Sequence, residues 1–294
     1  MLLLLLIFFL MIFGSLISIL LAVPIYNSDI KTLIDLLGNP DTGNIDMIKY
    51  FQISQSLFLF VLPALIAAWL FSENTFHYLR ADQKASTFTL LMVLLSIIMS
   101  IPLMNAMTLW NLKLDLPFWL DNVEEKIKDM EESAGRLTEL FLASDSYGDL
   151  AVNLLMIGIL PALGEEFLFR GILQRLFTEW TKNNHAAIIL AAFLFSFIHF
   201  QFYGFIPRFL LGLYFGYLLV WSSSIWVPVT AHLINNGIAV IYYHFAKDPV
   251  GDTIMDKLGT NPGGNYALYL SVFLTSIFIG LIYLNEKHEK RSIV

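Results

Sequence analysis

Two adjacent glutamates with an arginine four residues on, Glu165, Glu166 and Arg170, stand inside an apolar run over about 149–178. His199 stands in the next apolar run, and His232, Asn235 and Asn236 in the one over 225–246. An Asp, Arg or Lys at mid-bilayer costs on the order of 2.5–3.5 kcal/mol on insertion scales, so ionisable groups inside such runs are read as functional. Glu166 and Arg170 share one helical face and can form an ion pair. Glu165 points about 100° away and is left to face a cavity. His232 and Asn236 also share a face, and Phe195 lies one turn before His199, where it can wall a site. A carboxylate beside an imidazole can deprotonate water. A second imidazole and an amide can donate to a developing oxyanion. The set fits water attack on an amide carbonyl and needs no Ser or Cys nucleophile.

The elements that must position these groups are membrane spans. The 294 residues are 57% hydrophobic and 14% charged, where a soluble domain carries about 25% charged residues. Mean hydropathy is +0.69. There are no cysteines, which removes disulfides, thiolate metal sites and a Cys nucleophile. The net charge of −7 sits mostly in loops, and no basic stretch is long enough to imply a nucleic-acid partner. A spanning helix needs roughly 20 apolar residues. That filter gives eight runs, about 1–23, 51–72, 87–109, 149–178, 186–203, 205–222, 225–246 and 266–285. They are continuously apolar rather than alternating, so the expected fold is an all-α polytopic transmembrane bundle of about eight spans. Met1 to Val23 has no preceding Lys or Arg and no small-x-small cleavage site, and reads as a retained span. Pro161 is expected to kink the fourth run or free a backbone carbonyl. Arg208 is assigned to the outer headgroup level, snorkelling or paired with lipid phosphate.

Three parts follow: 1–148, three spans with two polar connections; 149–246, a core of four spans bearing the polar groups; and 247–294, a loop, a last span and a tail. In the first connection, Gly38-Asn39-Pro40 and Gly43-Asn44 read as turns. In the second, Phe118, Leu120, Val123, Ile127 and Met130 recur at helical spacing through an acidic stretch, which fits an interfacial amphipathic helix or a solvated one. Lys287, Lys290 and Arg291 after the last span favour a cytoplasmic C-terminus, and eight spans then put the N-terminus inside as well. In that topology Glu165 lies 13 residues before the inner end of span four, and His199 13 residues after the inner start of span five. Both are then roughly 20 Å from the inner surface, and His232 and Asn236 roughly 10–16 Å. Three helices place their polar groups in one layer.

Glu165-Glu166-x-x-x-Arg170, Phe195-x-x-x-His199 and His232-x-x-x-Asn236 together resemble the three motifs of the CAAX-protease and bacteriocin-processing family of intramembrane glutamic endopeptidases. The resemblance covers roughly 149–246, and no motif position departs from the pattern. It implies an eight-helix membrane hydrolase. Glu165 and His199 would activate water, His232 and Asn236 would form the oxyanion site, and Glu166 and Arg170 would organise the pocket. It also implies a protein or peptide substrate met within the bilayer, no cofactor, and a plasma-membrane location with the site toward the cytoplasm. It leaves the substrate open, prenylated or not.

Other readings stand beside it. Glu166–Arg170 alone fits a structural ion pair, His199 or His232 alone a hydrogen-bonded core residue, and Asn236 a helix–helix hydrogen bond. A zinc metalloprotease with Glu and His ligands is the enzymatic alternative, though no H-E-x-x-H occurs and the ligands would come from different helices. A proton-coupled transporter or a scaffold is the non-enzymatic one. The absence of an inverted repeat weighs against the transporter.

Overall fold

In an apolar surrounding, only a structure that pairs its own N–H and C=O groups is stable, and a continuous apolar run achieves this as a helix. The described residues accordingly hold helices and no strand. The computed structural model describes residues 2–38, 44–114, 116–144, 146–246, 253–260 and 265–292, without the side chains of 36–38 and 290–292. The turn expected over 39–43 and the side chains of Lys290 and Arg291 lie outside the described residues. In chain order the helices are α1 (Leu2–Tyr26), α2 (Ile30–Gly38), α3 (Ile45–Phe71), α4 (Thr75–Tyr78), α5 (Thr87–Asn111), α6 (Asp121–Leu142), α7 (Tyr147–Thr181), α8 (Asn184–Phe197), α9 (Phe205–Ser222), α10 (Trp226–Ala246), α11 (Ile254–Lys257) and α12 (Tyr266–Ser292).

The protein is a polytopic helical bundle, and each of the eight expected runs has its helix. Six of them, α1, α3, α5, α7, α9 and α12, are long and apolar enough to cross a membrane by themselves. The other two fall short for reasons tied to the polar groups. The His232, Asn235 and Asn236 side chains dilute the apolar character of α10. Helix α8 has 14 residues, too few to span. The fifth run was read as helical to 203, with His199 inside it. Instead α8 stops at Phe197, His199 sits in the turn that follows, and Phe200 takes a left-handed φ of 53°. The end is capped by the residue of interest. A terminal carbonyl lacks an intrahelical donor, and His199 Nδ1 bonds the Phe195 carbonyl at 2.7 Å.

Helix α7 departs from α geometry twice, in π turns at Leu154–Ile159 and Phe167–Leu173. The first precedes Pro161, as a similar turn at Leu57–Val61 in α3 precedes Pro63. A proline has no N–H for the carbonyl four residues back and crowds it, so a widened turn accommodates the ring. The carbonyl that Pro161 cannot satisfy is that of Ile157, and it accepts Asn236 Nδ2 at 2.9 Å. The freed carbonyl thus fixes a motif side chain on α10.

Close approach of the helices depends on glycine. A Cβ at Gly164 would lie 2.8 Å from Phe60 Cβ on α3, and one at Gly212 on α9 3.0 Å from Ala192 Cβ on α8. Small residues at such crossings let dispersion contacts and interhelical hydrogen bonds form. Behind the site, Leu168, Phe169 and Ile172 of α7 pack with Ala64, Ala67 and Ala68 of α3 and with Phe195.

Helix α6 is amphipathic, with its apolar face turned outward and carboxylates on its inner side. Phe118, Trp119, Val123 and Met130 are exposed, while Glu124 is buried and Phe141 packs inward. Glu124 and Glu131, seven apart, share a face. Glu131 accepts the Tyr203 N–H at 2.9 Å and Glu124 the Tyr203 hydroxyl at 2.8 Å. The helix is latched to the same turn that carries His199.

Candidate active site

Glu166 is fully buried, and one of its oxygens is shared. Oε1 accepts Arg170 Nη1 at 2.9 Å and His232 Nδ1 at 2.8 Å. An unpaired buried charge would cost several kcal/mol, and this pairing across α7 and α10 offsets it. Arg170 reaches further, to the Gly212 carbonyl on α9 at 3.1 Å. Its guanidinium carbon lies 4.5 Å from the Phe195 ring centre and 5.4 Å from that of Phe215. Phe215 in turn stacks on the His232 ring at 5.3 Å. Four helices, α7 to α10, are therefore joined around one ion pair.

Glu165 lies one residue earlier and has a different fate. It is buried at 8% exposure, yet its carboxylate makes no hydrogen bond to the described residues. It faces a cavity of about 540 Å³ that is also lined by His199, His232, Asn235, Asn236 and Arg208. Thr138 and Phe141 of α6 contribute to the wall. The cavity thus brings together the groups from three motifs, whereas Glu166 and Arg170 stand behind its wall.

Hydrogen-bond partners fix two tautomers. A carbonyl only accepts, so His199 carries its proton on Nδ1, toward Phe195, and leaves a lone pair on Nε2. His232 Nδ1 faces a carboxylate already held by Arg170, so its proton also sits on Nδ1. It follows that His232 Nε2 can donate only when the ring is cationic, and Glu166 is the counter-ion in place for that state. Asn235 Nδ2 donates to Asn236 Oδ1 at 3.1 Å. With Asn236 Nδ2 held by Ile157, the amide has one N–H left to offer.

Arg208 has a place inside the protein. It lines the cavity and donates to Gln201, and its Nη1 is buried without a partner. It enters α9 only four residues in, which led the sequence reading to place it at the surface. Gln201 of the turn 198–204 and the cavity wall, to which Thr138 and Phe141 of α6 contribute, give it protein surroundings. The rule that marked Arg170, a cation inside an apolar run, would have marked Arg208 too. Glu124 and Glu131 were also missed, although their seven-residue spacing was the available signal. His185 is exposed and bonds the Tyr217 hydroxyl at 2.8 Å. His244 is buried. Among the described residues no group of three or more His, Cys, Asp or Glu is arranged to hold a metal ion, so no step below is routed through one.

Fold and site together define a class: a multi-pass helical membrane protein with a buried Glu–Arg–His network behind a cavity that carries a free carboxylate. Comparison with known proteins adds a likeness over part of the chain. Residues 147–238, about a third of the chain, match the family described as type II CAAX prenyl endopeptidase Rce1-like. The matched segment contains every motif residue from Glu165 to Asn236. The chain is also similar to an uncharacterised protein of Bacillus subtilis (strain 168), YpbD, at 28% identity over 113 residues. That alignment covers 37% of this chain and spans 57% of the relative's length. No solved structure matches the chain.

Proposed function

We propose that the cavity is the active site of an intramembrane endopeptidase, which hydrolyses a peptide bond of a protein or peptide substrate with a water activated by Glu165 and His199. The observation that supports this most is the Glu165 carboxylate, buried and without a hydrogen-bond partner, in a cavity shared with a histidine whose lone pair is free. Water held between two acceptors is aligned and polarised. Glu165 takes its proton as the oxygen attacks the carbonyl carbon. The carbonyl π electrons move onto oxygen, and the Asn236 amide with the His232 cation donates to that oxyanion. When the tetrahedral intermediate collapses, the C–N bond breaks and the proton on Glu165 passes to the leaving amine. Low local dielectric strengthens every one of these contacts. The inner side of the plasma membrane is the proposed location, with the cavity reached from the cytoplasm.

Substrates are found by comparing membrane proteomes of cells carrying the wild type and Glu165→Ala. The expected outcome is a set of cleaved termini that depends on Glu165 and is reproduced by the purified wild type in liposomes. Cleavage by purified Glu165→Ala at the native rate would falsify the mechanism. Loss of cleavage in strong chelators would favour the zinc alternative instead.

A further inference from the structure

A second cavity, of about 460 Å³, lies at the C-terminal end of α7, away from the carboxylate. Three inter-helix connections build it. Ile225 N–H donates to the Arg80 carbonyl at 3.2 Å, Ser224 Oγ to the Gln83 carbonyl at 2.7 Å, and Trp226 Nε1 to the Ala81 carbonyl at 2.8 Å. Arg175 Nη1 donates to the Tyr78 carbonyl at 3.2 Å and its guanidinium lies 3.9 Å from the Tyr78 ring centre. The end of the bundle is flanked by exposed aromatics, Trp180 and Phe76, as is usual where a bundle meets the headgroup layer.

The charges in this cavity do not cancel. Arg175 pairs with Glu179 at 3.3 Å, and His77 with Asp82 at 2.8 Å. The Arg80 guanidinium has neither an ion pair nor a hydrogen bond among the described residues. Partial desolvation, and then the like charge of Arg175, hold its pKa below the ordinary arginine range. An anion between the two would relieve that repulsion. The floor gives an independent indication. Arg170 and Gln174 are 1% and 4% exposed, and Arg170 Nε and Gln174 Oε1 are buried with no partner in the protein. The orphaned Arg170 N–H calls for an acceptor such as a phosphate oxygen or water, whereas Gln174 Oε1, itself an acceptor, calls for a water or a protonated phosphate O–H. Gln174 is held there by its Nε2, which donates to the Gly216 carbonyl at 3.2 Å.

We propose that this cavity is a phosphate-binding site, with the anion held between Arg80 and Arg175 over the Gln174 floor. Guanidinium pairs suit phosphate oxygens, and the position in the headgroup layer supplies them. The phosphate can belong to a lipid headgroup or be free in solution, and the chemistry of the cavity is the same for both. The inference is independent of peptidase activity.

The test uses the full chain purified in neutral detergent. Native mass spectrometry reads retention of phosphatidylglycerol against diacylglycerol, which lacks the phosphate, and calorimetry reads binding of inorganic phosphate. Arg80→Gln removes a cation that braces nothing, so folding is expected to survive. Arg175→Gln is a second variant, and Lys113→Gln, an exposed cation on another connection, is the control. Preferential retention of phosphatidylglycerol, weakened about tenfold by Arg80→Gln as one charge-assisted bond implies and unchanged by Lys113→Gln, supports a headgroup. Binding of inorganic phosphate alone, with the same dependence on Arg80, supports the free anion. Binding of neither probe, or equal binding by wild type, Arg80→Gln and Arg175→Gln, overturns the site.

Discussion

Neighbouring glutamates in one helix have opposite surroundings. Glu166 shares one oxygen between Arg170 and His232, and Glu165 has no hydrogen-bond partner among the described residues and faces the cavity. The 100° turn between consecutive helix residues is enough to separate them. One side of α7 is a brace in which buried charges are paired, although Glu166 Oε2 and Arg170 Nε lack a hydrogen-bond partner among the described residues. The other is a surface on which carboxylate, imidazole and guanidinium are left with unmet capacity. Unmet capacity inside an apolar bundle is costly, and the matched side supplies the rigidity that keeps it from collapsing. Stability and chemistry are thus assigned to adjacent residues, and substitutions should separate them.

The largest effect is expected on the matched side. Arg170→Ala leaves Glu166 buried without its cation and opens a void beneath Phe195 and Phe215. Breaking a buried pair by removing one partner costs about 3–5 kcal/mol. The thermal midpoint in detergent should fall by many degrees, and cleavage should be lost with the fold. Glu165→Gln has the opposite profile. It keeps shape and removes the proposed base, so turnover should fall about 10²- to 10⁴-fold while the midpoint holds or rises. A variant at 165 that unfolds as readily as the one at 170 would erase the distinction between the two sides.

The brace was legible in the sequence because its main pair lies within one helix. A four-residue spacing sets Glu166 and Arg170 on a common face whatever the rest of the chain does. The eight apolar runs were legible for a similar reason, since length and apolarity are local properties. What could not be read was set by packing between helices. Nothing local says that α8 ends at Phe197, because the end is stabilised by a side chain from the turn itself. Nothing local says that Glu166 Oε1 also holds His232, since that contact crosses 66 residues of chain. The place of Arg208 in the cavity could not be read because its partner, Gln201, lies in the turn before α9. Apolar spacing in α6 marked its outer face correctly and left its inner one unread, because the buried side is held by carboxylates.

Asn236 sits between the two sides and sharpens where one passes into the other. Its Nδ2 holds the carbonyl that Pro161 frees, and its remaining N–H faces the cavity. Asn236→Ala should therefore lower both properties. Leaving the Ile157 carbonyl unpaired costs about 1–3 kcal/mol, and losing one oxyanion donor costs about 10²- to 10³-fold in kcat. Denaturant titration and kcat measured on the same preparation test this. A loss of stability with kcat untouched would move Asn236 wholly to the bracing side.

The smallest effect concerns the latch across the cavity. The Glu124 carboxyl is held down at about 2, first by the Lys128 ammonium at 2.7 Å, then by the Tyr203 hydroxyl and the Leu116 N–H. A carboxyl lowered on folding stabilises the folded arrangement above its unfolded value of 4.5, and that contribution is lost as pH falls through the folded value. The tether between α6 and Tyr203 should thus loosen progressively below pH 4.5 and be gone near pH 2. Hydrogen exchange over residues 116–131, corrected for intrinsic rates, should show protection falling across that window in the wild type. Glu124→Gln, which cannot ionise, should lack this dependence and start from lower protection at neutral pH. The brace has no part in the latch, so exchange in the 160–172 stretch of α7 should not follow the same curve. If both stretches lose protection together, the latch and the brace form one cooperative unit, and the separation seen between Glu165 and Glu166 does not extend to the helix that covers them.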